Sequence, residues 1–183
     1  MFVDNENCFT TAASSLVTPG FVPSQLDPTA VATTALNNVI DTGPLGGQNT
    51  QAPLANAGRD FGMGYPTWLY IVFPVAPTSA GGATITITLV SSAAATLTAP
   101  NTMITVANAL AYNGGAFSTT SFFKVPLPRA GPYVATLNPL GWLRYIGINW
   151  TVGTAVLTGG SVIAFLSRDV QDNTLYQAGF TLS

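Results

Sequence analysis

Hydrophobic and polar residues alternate through several short stretches in the last two thirds of the chain. In residues 83–90, Ile85, Ile87 and Leu89 share one side of the pattern, and threonines occupy the positions between them. A repeat of two residues is the spacing of a β-strand with one buried face. Residues 142–152 repeat the pattern with four hydrophobic residues on one side: Ile146, Ile148, Trp150 and Val152. The alternation predicts strands with one side facing a core and a polar side facing outward.

A second kind of strand is predicted where the hydrophobic run is continuous. Residues 67–75 (TWLYIVFPV) are almost wholly apolar, which favours a strand covered on both faces. Further strands are predicted at 101–108, 120–128, 160–171 and 175–183, separated by Gly, Pro and Asn clusters. No amphipathic helix longer than about three turns is indicated. The pattern predicts an all-β protein, a jelly-roll type β-sandwich of about eight strands.

The beginning of the chain has weak periodicity and is rich in Ala, Thr, Ser, Asn and Pro. Residues 16–31 hold three prolines, which predicts irregular chain. Residues 36–43 (LNNVIDTG) are a short strand-like piece that stops at Gly43. We therefore expect residues 1–57 to form an N-terminal arm and irregular segment with an edge strand. Residues 58–183 are expected to form the jelly-roll β-sandwich.

Charge is scarce, and this restricts the possible partners. Charged residues make up 7% of the chain, against about 25% in an ordinary soluble domain. Such a surface favours burial against copies of the chain or against a larger partner. Five basic residues and a net charge of −2 argue against nucleic-acid binding, which requires many phosphates to be neutralised. No apolar run reaches the roughly 20 residues of a membrane-spanning helix, and MFVDNENCF lacks the basic residues of a secretory signal.

Residues that support catalysis are also few. The chain has no histidine, a single cysteine (Cys8) and seven scattered acidic residues. Histidine is the commonest general base and a frequent metal ligand, so its absence removes both roles together. Asp169 and Asp172 are close in sequence, but no acid-rich loop supplies the several oxygen ligands that calcium needs. We expect no enzyme activity, no cofactor and no metal site.

The stretch GRDFGMG, residues 58–64, combines opposite charges with glycines and is the most obvious candidate site. Its glycines do not match the dinucleotide-binding fingerprint, and it lacks the Lys-Ser/Thr of a phosphate-binding loop. Gly62 and Gly64 allow positive φ in a turn that leads into the next strand. We therefore expect Arg59 and Asp60 to fix this turn or to contact a neighbouring subunit.

Several short motifs occur in an order that is more informative than any one of them. They are MFVDNENCF, NNVIDTG, RDFGMG, GGATITITLVSS, PLPRAG, LRYIGINWTV and LTGGSVIAFLSRDVQ, followed by Tyr176. The series resembles a family of tailed-phage capsid cement (decoration) proteins, which includes the jelly-roll cement protein of a Bordetella podophage. The resemblance implies a non-catalytic jelly-roll subunit that associates as a homodimer on the outer surface of the virion, bound to an HK97-type major capsid protein. Residues 18–33 and 130–145 depart from the family pattern by their extra length.

Six residues in the matching segments are the predicted contacts with the capsid or with a neighbouring subunit: Phe2, Asp4, Asp41, Arg59, Asp60 and Arg144. All but Phe2 belong to the small set of charged residues. An alternative is a carbohydrate- or receptor-binding jelly-roll module of a virion attachment structure, in which Trp68, Trp142 and Trp150 stack on sugars. Their positions within strand patterns favour a core or interface role instead. An enzyme, the third possibility, would depend on Asp60 and Asp169.

Overall fold

The computed structural model describes residues 8–10, 24–25, 33–36, 38–42, 67–79, 81–111, 122–129 and 140–167. Nine β-strands occur within these ranges, and none of the described residues forms a helix that could span a membrane. The strands are β1 (Ser24–Gln25), β2 (Thr33–Ala35), β3 (Ile40–Asp41), β4 (Trp68–Thr78), β5 (Thr84–Ser92), β6 (Asn101–Ala111), β7 (Phe122–Pro126), β8 (Tyr145–Gly153) and β9 (Gly159–Ser167).

The strands form two sheets in which every paired neighbour is antiparallel. Sheet I has the order β1-β9-β4-β7, and sheet II has the order β2-β8-β5-β6, with β3 also paired to β8. The prediction of an all-β sandwich is confirmed. If β2 and β3 are counted as one interrupted strand, the two orders interleave early and late strands and are compatible with a jelly roll.

A hydrophobic core fills the space between the two sheets. On β5, Ile85, Ile87 and Leu89 are fully buried, as the alternation predicts. Phe73 of sheet I meets Trp150 of sheet II edge-on, with ring centroids 5.7 Å apart. These side chains belong to one cluster that includes residues of both sheets. The isoleucine side of the sequence pattern therefore faces the opposite sheet.

Strand β4 is buried on its inner face and, at Tyr70, on its outer face as well, so the prediction of a strand covered on both faces is confirmed in part. Leu69 and Ile71 point into the core and are almost completely buried. Tyr70 lies on the outer face of sheet I, yet only 3% of its surface is exposed to solvent. Its ring stacks on Phe165 of β9 at a centroid distance of 5.3 Å. The outer face of sheet I therefore includes a pair of stacked aromatic side chains.

Residues 8–10 hold the two sheets together at the edge beside β9. The amide of Phe9 donates to the carbonyl oxygen of Ala164 in sheet I at 2.8 Å. The amide of Asn38, between β2 and β3, donates in turn to the carbonyl oxygen of Phe9 at 3.0 Å. The Phe9 side chain is fully buried in the core. This early segment is therefore part of the sandwich.

The sequence interpretation of the first 57 residues is partly corrected. The prediction of irregular chain over 16–31 is wrong at Ser24 and Gln25, which form β1 against β9. The predicted edge strand within 36–43 is observed as β3. The division at residue 57 and the strand at 175–183 lie outside the described residues and stay predictions.

Candidate functional site

The outer face of sheet II carries a patch of small, polar and uncharged side chains. Its outward side chains are Thr33 and Ala35 on β2, Thr84, Thr86 and Thr88 on β5, Thr105 on β6, and Asn149 and Thr151 on β8, and we call this set the threonine face. All are partly or fully exposed. The face follows directly from the alternation of β5 and β8, since each inward hydrophobic residue places a small polar residue outside.

Cross-strand register aligns these side chains in rows. Thr151 lies opposite Thr33 on one side and opposite Thr86 on the other. The hydroxyls of Thr33 and Thr151 are 2.8 Å apart, and the amide of Ala109 donates to the hydroxyl of Thr86 at 2.9 Å. A second row contains Ala35, Asn149, Thr88 and Thr105. The hydroxyl rotamers of the first row are therefore held by contacts across the sheet.

The loop of residues 93–100 closes one end of the threonine face. Leu97 adopts a left-handed conformation with φ of 53° and packs its side chain directly over Gly147 of β8. A Cβ atom at Gly147 would overlap a terminal methyl group of Leu97, so any larger residue there would force that side chain to move. The hydroxyl of Ser92 anchors the loop by donating to the carbonyl oxygen of Thr98 at 3.1 Å.

A charged cluster lies at the same end of sheet II, and we call its four residues, Asp41, Thr42, Arg144 and Tyr145, the clasp. Arg144 donates from Nε to Oδ1 and from Nη2 to Oδ2 of Asp41, both at 2.8 Å. Its guanidinium carbon lies 4.9 Å from the centroid of the Tyr145 ring. Thr42 donates its amide and its hydroxyl to the carbonyl oxygen of Arg144, at 3.0 and 2.7 Å. The clasp thus joins the end of β3 to the start of β8.

The electrostatics of the clasp favour the charged form of Arg144. The hydrogen bond to Asp41 raises the pKa of Arg144 above its ordinary value, while partial desolvation acts in the opposite direction. The Arg144 side chain is 35% exposed to solvent and the Asp41 side chain is 44% exposed. Exposed ion pairs contribute little to stability, but a two-point Arg–carboxylate pair fixes orientation well. The clasp therefore fixes the orientation of Arg144 and Asp41 at the surface and contributes little to folding stability.

Two of the six predicted contact residues are brought together by the fold. Asp41 and Arg144 form the ion pair of the clasp, although they are 103 positions apart. Phe2, Asp4, Arg59 and Asp60 lie outside the described residues. The contact role of all six stays a prediction. Sequence reasoning missed Tyr145 and the threonine face as surface features, and the buried Thr42 as a support of the clasp. The outward threonines of β5 were already visible in the alternation.

The tryptophans bear on the sugar-binding alternative. Trp142 is fully buried and its indole donates to the carbonyl oxygen of Pro128 at 3.3 Å. Trp150 is buried between the sheets. The predicted core role is confirmed for both, so neither offers a ring face to a sugar. Trp68 is partly exposed and has the ammonium of Lys124 5.0 Å from its ring centroid.

Among the described residues, Asp41 is the only acidic residue that could take part in catalysis. That carboxylate is engaged by Arg144. Within the same ranges no three potential metal ligands come together. Asp60, Asp169 and Asp172 lie outside the described residues, so their proposed roles stay untested.

Comparison with known proteins identifies the family. A family model described as Bbp16 matches residues 26–166, about three quarters of the chain. This chain belongs to the Bbp16 family. The match includes the whole threonine face and the clasp, and the family name suggests a Bordetella phage protein. The all-β fold is compatible with a phage structural protein. No curated protein matches the chain.

Proposed function

We propose that this protein is a capsid cement, or decoration, protein that binds the outside of a phage head and stabilises contacts between subunits of the major capsid protein. Membership of the Bbp16 family is the observation that carries the proposal. The resemblance of the ordered motifs to tailed-phage cement proteins points to the same role and to an HK97-type capsid partner. The structure adds an uncharged patch, the threonine face, and a fixed ion pair beside it, both of which suit protein contacts.

The scarcity of charge supports this role on physical grounds. Charged side chains are depleted from the buried centres of protein interfaces, where desolvation makes them costly. A chain with 7% charged residues has unusually large areas that can be covered at little electrostatic cost. The threonine face is such an area. Binding through it would depend little on salt, because screening acts mainly on charges.

The stabilising mechanism is preferential binding to the assembled shell. A ligand that binds only the assembled form stabilises it by about 2.7 kcal/mol per site at a free concentration about 100 times Kd. A cement protein that contacts two neighbouring capsid subunits has its complete site only in the shell. The protein therefore needs no reactive group to act, and we assign it no enzymatic step.

Purified virions provide the direct test of the proposed location. We expect the protein in virions of the encoding phage at a fixed ratio to the major capsid protein, measured by quantitative mass spectrometry. Protease treatment of intact virions should remove it while internal proteins survive, because the proposal places it outside. Absence from virions, or protection equal to that of internal proteins, would overturn the proposal.

The clasp allows a sharper test of the predicted contacts. Asp41→Arg and Arg144→Asp should each weaken binding to capsids in a competition assay. The double variant D41R/R144D restores an internal ion pair but exchanges the charges that a capsid subunit would meet. If the residues contact the capsid, the double variant stays weak. If it regains wild-type binding, the pair is only an internal support.

A further inference from the structure

The segment that leads into β8 places a large hydrophobic side chain close to the clasp. Leu140 is 70% exposed, the highest value among the large hydrophobic residues in the described part of the chain. Leu140 precedes Arg144 by four residues, so their Cα atoms are at most about 14 Å apart. A standard interface of about 800 Å² on each partner is wide enough to cover both. Leu140 and three residues of the clasp form a set that we call the anchor patch: Leu140, Asp41, Arg144 and Tyr145.

The chain between Leu140 and Arg144 is fixed to the body of the sandwich. Trp142 is fully buried, and its indole donates to a main-chain carbonyl oxygen at 3.3 Å. The amide of the buried Leu143 donates to the hydroxyl of Ser91 at 3.4 Å. Leu140 and Arg144 are therefore presented at the surface by a segment that is held in place between them. Binding through this segment requires little further ordering of the backbone, which is one of the costs of association.

The orientation of Arg144 leaves hydrogen-bond donors for a partner. A guanidinium group carries five N–H donors in one plane. Asp41 accepts from Nε and Nη2 of Arg144, and the centroid of the Tyr145 ring lies 4.9 Å from the guanidinium carbon. The N–H groups on the edge away from Asp41 belong to a side chain that is 35% exposed. A partner therefore meets a guanidinium edge whose direction is already set by the two-point pair with Asp41.

The charge of the clasp indicates which acceptor suits that edge. Asp41 and Arg144 form an ion pair and together carry no net charge. A second carboxylate, once covered by the contact, would leave one negative charge uncompensated, and such a charge is costly to desolvate. A main-chain carbonyl oxygen accepts the same hydrogen bonds without adding a charge. The acceptor that fits the anchor patch is therefore a neutral carbonyl group.

The combination of side chains in the anchor patch is more informative than its leucine. A lone exposed leucine is common on protein surfaces and means little by itself. Here it accompanies a fixed Arg and a Tyr, two of the residue types that most often dominate the affinity of interfaces. We propose that the anchor patch binds a subunit of the major capsid protein, with Leu140 in an apolar pocket and Arg144 donating to main-chain carbonyl oxygens. This inference rests on the proposed function and adds to it the place and the chemistry of the contact.

Leu140→Asp tests the apolar part of the contact. Binding to empty expanded capsids is measured by competition against labelled wild-type protein. A charged side chain enters an apolar pocket only at a large desolvation cost, so we expect the affinity to fall at least about tenfold. Val156→Asp is the matched control, because Val156 is also a large exposed hydrophobic residue but follows the other end of β8. Strand β8 spans about 27 Å between those ends, so the control should bind like wild type.

Arg144→Lys tests the directed hydrogen bonds. Lysine keeps the positive charge but lacks the planar fork that binds Asp41 at two points. We expect the affinity for capsids to fall about five- to tenfold. The affinity of the wild type should change less than about threefold between about 50 mM and about 500 mM salt, because the acceptor is neutral. Wild-type affinity of Arg144→Lys, or a steep loss of wild-type binding with salt, would overturn the assignment of carbonyl acceptors.

Thiol labelling locates the contact without introducing a charge. Cys8 is buried, so an engineered surface cysteine reacts selectively with a maleimide. Leu140→Cys should be labelled in the free protein and protected on capsids, whereas Val156→Cys should be labelled equally in both states. Equal labelling of Leu140→Cys in both states would overturn the assignment of the anchor patch.

The outcomes separate this inference from the proposed function. If the wild type binds capsids and Leu140→Asp has the same affinity as Val156→Asp, the assignment of the anchor patch is wrong and the capsid role stands. If the wild type binds no capsids, the capsid role fails and the anchor patch fails with it. Denaturant unfolding of each variant checks that the compared proteins are folded.

Discussion

The two outer faces of the sandwich use opposite chemistry on the same scaffold. Sheet I presents large rings, with Tyr70 stacked on Phe165 and Trp68 beside Lys124, and Tyr70 is almost completely buried. Sheet II presents small hydroxyl and amide side chains that stay partly exposed. We propose that the two faces have different roles: the aromatic side chains of sheet I contribute to folding stability, and the threonine face serves for contact with another protein.

Phe73→Ala should give the largest loss of folding stability in this comparison, because Phe73 belongs to the core shared by both sheets. It is fully buried and contacts Phe123 and Trp150. Truncation should lower the free energy of unfolding by about 3–5 kcal/mol. Denaturant titration followed by circular dichroism measures the change. A loss below about 1 kcal/mol would mean that Phe73 is not in a packed core.

Tyr70→Ala and Thr86→Ala compare the two faces directly. Tyr70→Ala should lower the free energy of unfolding by about 2–4 kcal/mol, because a buried and stacked ring is removed. Thr86→Ala should cost no more than about 1 kcal/mol, because one hydrogen bond from the Ala109 amide is lost. The same titrations give both values. Equal losses would remove the proposed division between a stabilising face and a contact face.

Gly147→Ala examines the closed end of the threonine face. The new methyl group meets the Leu97 side chain, which must repack, at a cost of about 1–3 kcal/mol. Combining it with Leu97→Ala should cost less than the sum of the single changes, because the clash is gone. A double-mutant cycle of unfolding free energies measures this coupling. Strict additivity would show that the two residues do not constrain each other.

Arg144→Gln should have the smallest effect on folding. The raised pKa of Arg144 keeps its stabilising contribution intact below its unfolded pKa, and that contribution is lost only as pH rises through the higher folded value. Between about pH 6 and pH 9 the guanidinium is charged in both states. Thermal melts across this range should therefore show the same pH dependence for Arg144→Gln and wild type. A divergence within the range would show that the clasp is coupled to another titrating group.

Features that depend on neighbouring residues in the sequence could be predicted, and features that depend on residues far apart in the sequence could not. The alternation in β5 and β8 was sufficient to place Ile85 inside and Thr86 outside, because side-chain direction in a strand is a local property. Strand β1 was missed because two residues carry no periodicity. The pairing of Asp41 with Arg144 depends on the register of β3 against β8, which no local pattern encodes.

Scanning calorimetry of empty expanded capsids tests the central claim most directly. Capsids are mixed with saturating purified protein, and the temperature of the capsid transition is compared with that of capsids alone. The account predicts a clear upward shift that saturates at a fixed ratio of protein to capsid subunit. An unmoved transition at saturating protein would contradict the proposal that this chain is a capsid cement protein.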